Sequence, residues 1–169
     1  DIVTILGATG QMGGAAVLVA LARGASRVIA VGRDAEVLER LGMLDDRVAT
    51  VTLTGDVSTD AKAMSAFGDP HVVIDAIGNA PDADAFLAGF ATLRDEGTIV
   101  MMGGTRCDVP LPYGEVLRRR LTIKGSRMYR SETVLAIWRM IQSGLLDLRQ
   151  VELQEVGIDD PAAAIDAAT

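Results

Sequence analysis

The stretch Gly7-Ala8-Thr9-Gly10-Gln11-Met12-Gly13 falls between the β-branched run Ile2-Val3-Thr4-Ile5-Leu6 and the small-residue apolar run Gln11–Ala22. The first run reads as a strand and the second as a helix packed closely on a sheet, so the glycines form a βα turn. A dinucleotide pyrophosphate needs such a turn. It also needs backbone that approaches without a Cβ, and free N–H groups at a helix N-terminus whose dipole favours negative charge. Gly7, Gly10 and Gly13 meet those needs, with Gln11 and Met12 opening the helix. The spacing is GxxGxxG rather than GxGxxG, with Thr9 where the second glycine would fall. The alternative reading is a glycine-rich turn that binds nothing.

The same alternation of valine- and isoleucine-rich runs with helical segments continues along the chain, which predicts an α/β, doubly wound, six-stranded parallel sheet with helices on both faces. The expected strands are Ile2–Leu6, Arg27–Val31, Ala49–Leu53, Val72–Ile77, Thr98–Met102 and Leu121–Lys124. Asp34 is placed to cap a helix over Ala35–Leu41, and Ser131 one over Glu132–Gln142. A further helix is expected over Ala83–Arg94. Val134, Leu135, Trp138 and Ile141 recur at helical spacing and predict a core-facing side, with Trp138 as packing. Val151–Val156 reads as another strand and Pro161–Ala168 as a helix. No repeat or linker divides the 169 residues, so 1–169 reads as one domain.

Composition narrows the function. With 49% hydrophobic residues the chain has material for a core. Sixteen lysines and arginines against 23 acidic residues give a formal charge of −7, a field that repels nucleic acid. The longest apolar stretch, Met12–Ala22, stops at Arg23, short of the ~20 residues that span a bilayer. No membrane partner is expected. One cysteine, Cys107, and one histidine, His71, make neither an internal disulfide nor a zinc cluster of the usual ligands, so a reducing cytoplasm is the expected compartment.

At the tip of the second strand a dinucleotide fold selects its cofactor, because an acid there bonds the ribose 2′-hydroxyl and repels a 2′-phosphate. Here Gly32-Arg33 stand instead, and a guanidinium offers paired donors to a phosphate monoester. NADP is therefore expected over NAD. The alternative is a solvated Arg33 paired with Asp34 or Glu36. Ligands of open α/β sheets lie at the carboxyl ends of the strands. Ala76-Ile77-Gly78-Asn79, Gly103-Gly104-Thr105 and Gly125-Ser126-Arg127 are small-residue tips that admit a ribose or nicotinamide, or are ordinary turns. Asp56 reads either as an adenine-side contact or as a helix cap. Asp75 reads as a structural carboxylate held by backbone amides of a neighbouring loop. His71 reads as a boundary residue, and Arg118-Arg119-Arg120 as a solvated helix end.

Taken in order, ILGATGQMGGAAV at 5–17, RVIAVGRD at 27–34, HVVIDAIGN at 71–79, GTIVMMGG at 97–104, LRRRLTIKGS at 117–126 and SGLLDL at 143–148 cover nearly the whole chain. They resemble the cofactor-binding domain of the medium-chain dehydrogenase/reductase superfamily, the zinc-type alcohol dehydrogenases and their quinone oxidoreductase relatives. The resemblance implies phosphate contacts from Gly10 to Gly13, a ribose phosphate contact at Arg33, and nicotinamide-side contacts near Gly78, Gly103 and Ser126. It implies hydride transfer between NADP(H) and a small alcohol, carbonyl, quinone or enone in a longer enzyme. The upstream GroES-like catalytic domain, with any zinc, lies outside these residues, so neither catalytic residues nor metal ligands are expected within 1–169 and the fragment alone is expected to be inactive. Relatives of this kind pair the edge strand equivalent to Leu121–Lys124 into a homodimer, although Lys124 also suits a protective edge charge.

A competing reading is an atypical short-chain-type NADP-binding redox sensor. Enzymes of that class need a Tyr-x-x-x-Lys pair, but Leu117 and Thr133 stand four residues after Tyr113 and Tyr129. A methyltransferase is more distant still, because its cofactor ribose also wants an acid near Arg33.

Overall fold

The computed structural model describes residues 1–151, 155–157 and 159–167. A six-stranded parallel sheet runs in the order β3-β2-β1-β4-β5-β6, so the doubly wound class read from the sequence forms. Its strands are β1 Ile2–Leu6, β2 Arg27–Gly32, β3 Val48–Thr52, β4 Val72–Asp75, β5 Thr98–Met101 and β6 Thr122–Gly125. Between and after them come α1 Gln11–Ala22, α2 Ala35–Gly42, α3 Val57–Ser65, α4 Asp84–Thr92, α5 Tyr113–Arg118, α6 Ser131–Gln142 and α7 Pro161–Ala167, with a 3₁₀ turn at Leu148–Gln150. The chain winds outward from β1 through β2 and β3, then crosses back to β4. That reversal opens a crevice at the carboxyl ends of β1 and β4.

Continuous apolar strands form because both faces of the sheet are covered. Ile5, Val28 and Ala30 point to one face and pack with Val17 of α1 and Leu38 and Leu41 of α2. Their neighbours Leu6, Ile29 and Val31 point to the other and pack with Met64 of α3 and Phe86 and Phe90 of α4. The period of two thus sorts one sequence run into two cores. Asp34 caps α2 by accepting from the Glu36 and Val37 amides at 3.0 and 3.1 Å, as its position predicts.

Several boundaries differ from the sequence reading. The expected strand Val72–Ile77 ends at Asp75, because Ala76 and Ile77 turn to meet the neighbouring loops. The expected Leu121–Lys124 is shifted one residue on, to Thr122–Gly125, with Leu121 buried beneath it. The expected helix Ala83–Arg94 is shorter, with Leu93 already extended at ψ 140°. Ser131 does not cap α6: Arg130 occupies the N-cap position, and Ser131 is the first helical residue. Val151–Val156 lies partly on residues 152–154, and the last residue of Pro161–Ala168 is 168; these fall outside the described residues.

The larger correction concerns α6. Its apolar side does not face the core: Val134, Leu135 and Trp138 are 53%, 58% and 56% exposed. A shallow apolar groove of about 400 Å³ runs along it, lined by Tyr129, Thr133, Val134, Ile137, Trp138 and Ile141. The accessible surface of 10615 Å² exceeds the roughly 8,000 Å² expected of a compact monomer of this mass. Periodicity specifies that a helix has an apolar face, but not what covers it. The buried face of α1 is also narrower than its composition suggests, with only Gly13, Val17 and Leu18 fully buried.

Candidate functional site

The glycine loop closes on itself by contacts that a side chain would forbid. A Cβ on Gly13 would lie 2.0 Å from the Gly7 carbonyl oxygen and 2.7 Å from the Ala8 Cα. Gly7 itself has φ +79°, where its amide and that of Ala8 both donate to the Val31 carbonyl at 2.9 Å. The loop is thereby tied to the tip of β2.

Gly10 is the N-cap of α1 and has no side chain to satisfy the first turn. The Gly14 amide donates to the Gly10 carbonyl at 2.8 Å, and among the described residues no acceptor serves the amides of Gln11, Met12 or Gly13. No acidic residue stands in that first turn. Gly10 and Met12 are exposed, so the free donors and the positive end of the helix dipole open on solvent. This cradle fits a phosphate group.

Gly32 adjoins it. A Cβ there would come 2.4 Å from the Thr9 methyl and 2.8 Å from its hydroxyl. The space that a side chain at position 32 would take is thus filled by Thr9, a contact between two separate strand tips that sequence spacing does not show. The next residue, Arg33, is exposed, and the Asp34 carboxylate is turned away into the α2 cap. Among the described residues Arg33 makes no ion pair, so the pairing with Asp34 or Glu36 does not form.

The other tips gather around the same edge. A Cβ on Gly7 would be 3.0 Å from the Ile77 amide nitrogen, which places β4's tip against the glycine loop. The Gly104 amide donates to the Ile77 carbonyl at 2.9 Å and the Ser126 amide to the Met101 carbonyl at 2.9 Å. Gly78 and Gly125 face open space. Of the residues singled out from the sequence, Gly7, Thr9, Gly10, Gln11, Met12, Gly13, Gly32, Arg33, Ile77, Gly78, Gly103, Gly104 and Ser126 therefore lie along one rim. Asp56 lies beyond β3 as the N-cap of α3, its carboxylate accepting from the Thr59 amide at 2.7 Å. Of its two readings the structure shows the cap.

Asp75, at the end of β4, is 4% exposed. Its Oδ1 accepts from the Ile77 amide at 3.1 Å, and a Cβ on Gly103 would come within 3.1 Å of both carboxylate oxygens. Burial pushes its pKa up, and the Ile77 amide only partly opposes this. A backbone amide does hold it, but from two residues along its own loop rather than from a neighbouring loop as the sequence reading expects. The close approach to Gly103 was not legible.

His71 sits at the amino end of β4, away from the rim. Its Nδ1 accepts from the Ile2 amide at 3.1 Å and its Nε2 lies 3.3 Å from Asp1, a boundary role as expected. Arg118, Arg119 and Arg120 end α5 and pair with Glu115, Asp95 and Glu96. Among the described residues no group of three or more His, Cys, Asp or Glu side chains is placed to hold a metal ion. Nor is any described helix long and apolar enough to cross a membrane.

Comparison with known proteins agrees with this fold. The sequence model of the family described as zinc-binding dehydrogenase matches residues 12–143. Among solved structures, an alcohol dehydrogenase from Thermus sp. ATN1 superposes with TM-score 0.81 at 21% identity, over 98% of this chain and 47% of that one. A protein described as a short chain alcohol dehydrogenase from E. coli CFT073, complexed with the cofactor NADH, gives TM-score 0.80 at 20% identity, over 98% and 48%. Galactitol-1-phosphate dehydrogenase from Escherichia coli gives 0.77 at 20%, over 98% and 49%. The chain thus spans less than half the length of these solved chains. No curated protein matches its sequence.

Proposed function

From the premise that this chain belongs to the zinc-binding dehydrogenase family of the medium-chain dehydrogenase/reductase superfamily, we propose that it is the NADP(H)-binding domain of an alcohol dehydrogenase or a quinone or enone oxidoreductase. The observation that carries the reading is the N-cap of α1, Gly10, which offers no capping side chain and leaves the amides of the exposed Gln11 and Met12 and of the buried Gly13 without an acceptor. These amides would hold the pyrophosphate, with Gly7 and Gly10 keeping the loop clear of side chains.

Two features favour NADP over NAD. Thr9 fills the space beside Gly32, so no acid stands there to bond a 2′-hydroxyl or repel a 2′-phosphate. The exposed and unpaired Arg33 beside it would bind the phosphate monoester through paired donors. Ile77, Gly78, Gly103, Gly104 and Ser126 would flank the nicotinamide end, and Asp56 would reach the adenine side only through its backbone, because its carboxylate is a cap. A bound dinucleotide would accept the hydride from an alcohol or donate it to a carbonyl, quinone or enone, while this rim would supply position.

An alcohol or carbonyl substrate also needs a pocket and an acid or metal to stabilise developing alkoxide charge. In this reading those groups belong to a further, GroES-like domain of a longer enzyme, and these 169 residues alone bind cofactor without turning over substrate. Homodimerisation through β6 fits its place at the sheet edge. A reducing cytoplasm suits a lone, exposed Cys107. Hydrogen exchange tests the site: NADPH is expected to protect the amides of 10–13 and 77–78. Protection absent from 10–13 while the dinucleotide is bound refutes the assignment.

A further inference from the structure

We propose that the Asp75 carboxylate, buried beneath the β4 and β5 tips, biases the bound nicotinamide dinucleotide toward its oxidised form. The inference rests on the reading above, which puts the nicotinamide at Ile77, Gly78 and Gly103. The carboxylate lies directly under two of those residues: it accepts from the Ile77 amide, and its oxygens lie 3.1 Å from the Cβ position of Gly103. Glycine at 103 is demanded by the Ile77 carbonyl oxygen, 2.4 Å from that Cβ position, and it leaves the carboxylate next to open backbone. Leu6 and Met101, its register partners on the two neighbouring strands, are both uncharged. Among the described residues no cation pairs with it.

An anion in that position acts through protein rather than water. The oxidised nicotinamide ring carries a positive charge that the reduced ring lacks, and the two differ by one hydride leaving with its electron pair. A buried negative charge therefore stabilises the oxidised ring selectively and makes the reduced one a stronger hydride donor. The strand tip also explains why a carboxylate is tolerated in a buried position: one oxygen is bonded and the rim is open on one side. Burial raises the pKa of Asp75, so a larger share of it carries the charge as pH rises.

The test compares dissociation constants of NADP⁺ and NADPH for the chain and for Asp75→Asn at mildly alkaline pH. The substitution keeps shape and acceptor but removes charge. Binding of NADP⁺ is expected to weaken about tenfold relative to NADPH, the size of a unit charge acting over several ångströms of protein. If both forms bind and their ratio is unchanged, the role of Asp75 is overturned while the site assignment stands. If neither binds the wild-type chain, both fall. Should Asp75→Asn not fold, the wild-type ratio is followed on acidification. The 2′-phosphate titrates alike in both forms and drops out of the ratio, which is expected to shift toward NADPH as Asp75 protonates. A flat ratio overturns the proposal.

Discussion

Adjacent glycines in α1 are expected to respond to alanine with opposite signs. At Gly13 a Cβ would stand 2.0 Å from the Gly7 oxygen and 2.6 Å from the Gly7 carbonyl carbon. Both are backbone atoms of a loop anchored to Val31, so no side chain can swing aside. At Gly14 the nearest atom outside the helix is the Ala8 oxygen, at 3.6 Å, an ordinary contact. Alanine in a helix interior is favoured over glycine by about 0.5–1 kcal/mol, so Gly14→Ala should stabilise by that amount. Gly13→Ala receives the same propensity gain, but forces the loop off its closure. Overpacking typically costs 1–3 kcal/mol, and a backbone overlap this severe belongs at the upper end, leaving a net loss of about 2 kcal/mol. Urea unfolding reads this as a midpoint lowered by about 1 M for Gly13→Ala, given slopes near 2 kcal/mol/M. NADPH affinity should fall at least tenfold with it, because the amides no longer point at the phosphate. Two stabilised variants, or a Gly13→Ala that binds normally, would refute the loop geometry.

Two further outcomes follow from the caps and from protonation. Asp34→Ala should destabilise by about 1 kcal/mol, through loss of the α2 cap, without changing cofactor choice, as thermal unfolding and dinucleotide titration would show. His71 has its pKa held down, chiefly by burial and then by Arg94, so the unfolded chain takes up its proton first. Stability should therefore decline as pH falls below about 6.5, and His71→Gln should flatten that decline; an equally steep decline in the variant removes His71 as its cause.

The fold was legible because its signals are local. Glycines at the β1 turn and β-branched runs at each strand need no knowledge of their neighbours to be read. Asp34 was legible for the same reason, since a cap is satisfied within three residues. What escaped depends on contacts between distant segments: Thr9 over Gly32, Asp75 under Gly103, and the early end of β4 forced by its meeting with the glycine loop. The exposed face of α6 escaped differently. Val134, Leu135 and Trp138 announce an apolar surface whether a core, another domain or another chain covers it, so the pattern placed the side chains correctly and their surroundings wrongly.

The most direct test of the cofactor assignment is calorimetric titration of the chain and of Arg33→Ala with NADPH and NADH. A guanidinium–phosphate contact contributes about 1.5–3 kcal/mol. The wild type is therefore expected to prefer NADPH by about tenfold to a hundredfold. In Arg33→Ala that preference should vanish, with NADH binding unchanged. Equal affinity of the wild type for both dinucleotides, or a preference for NADPH that survives the substitution, would contradict it.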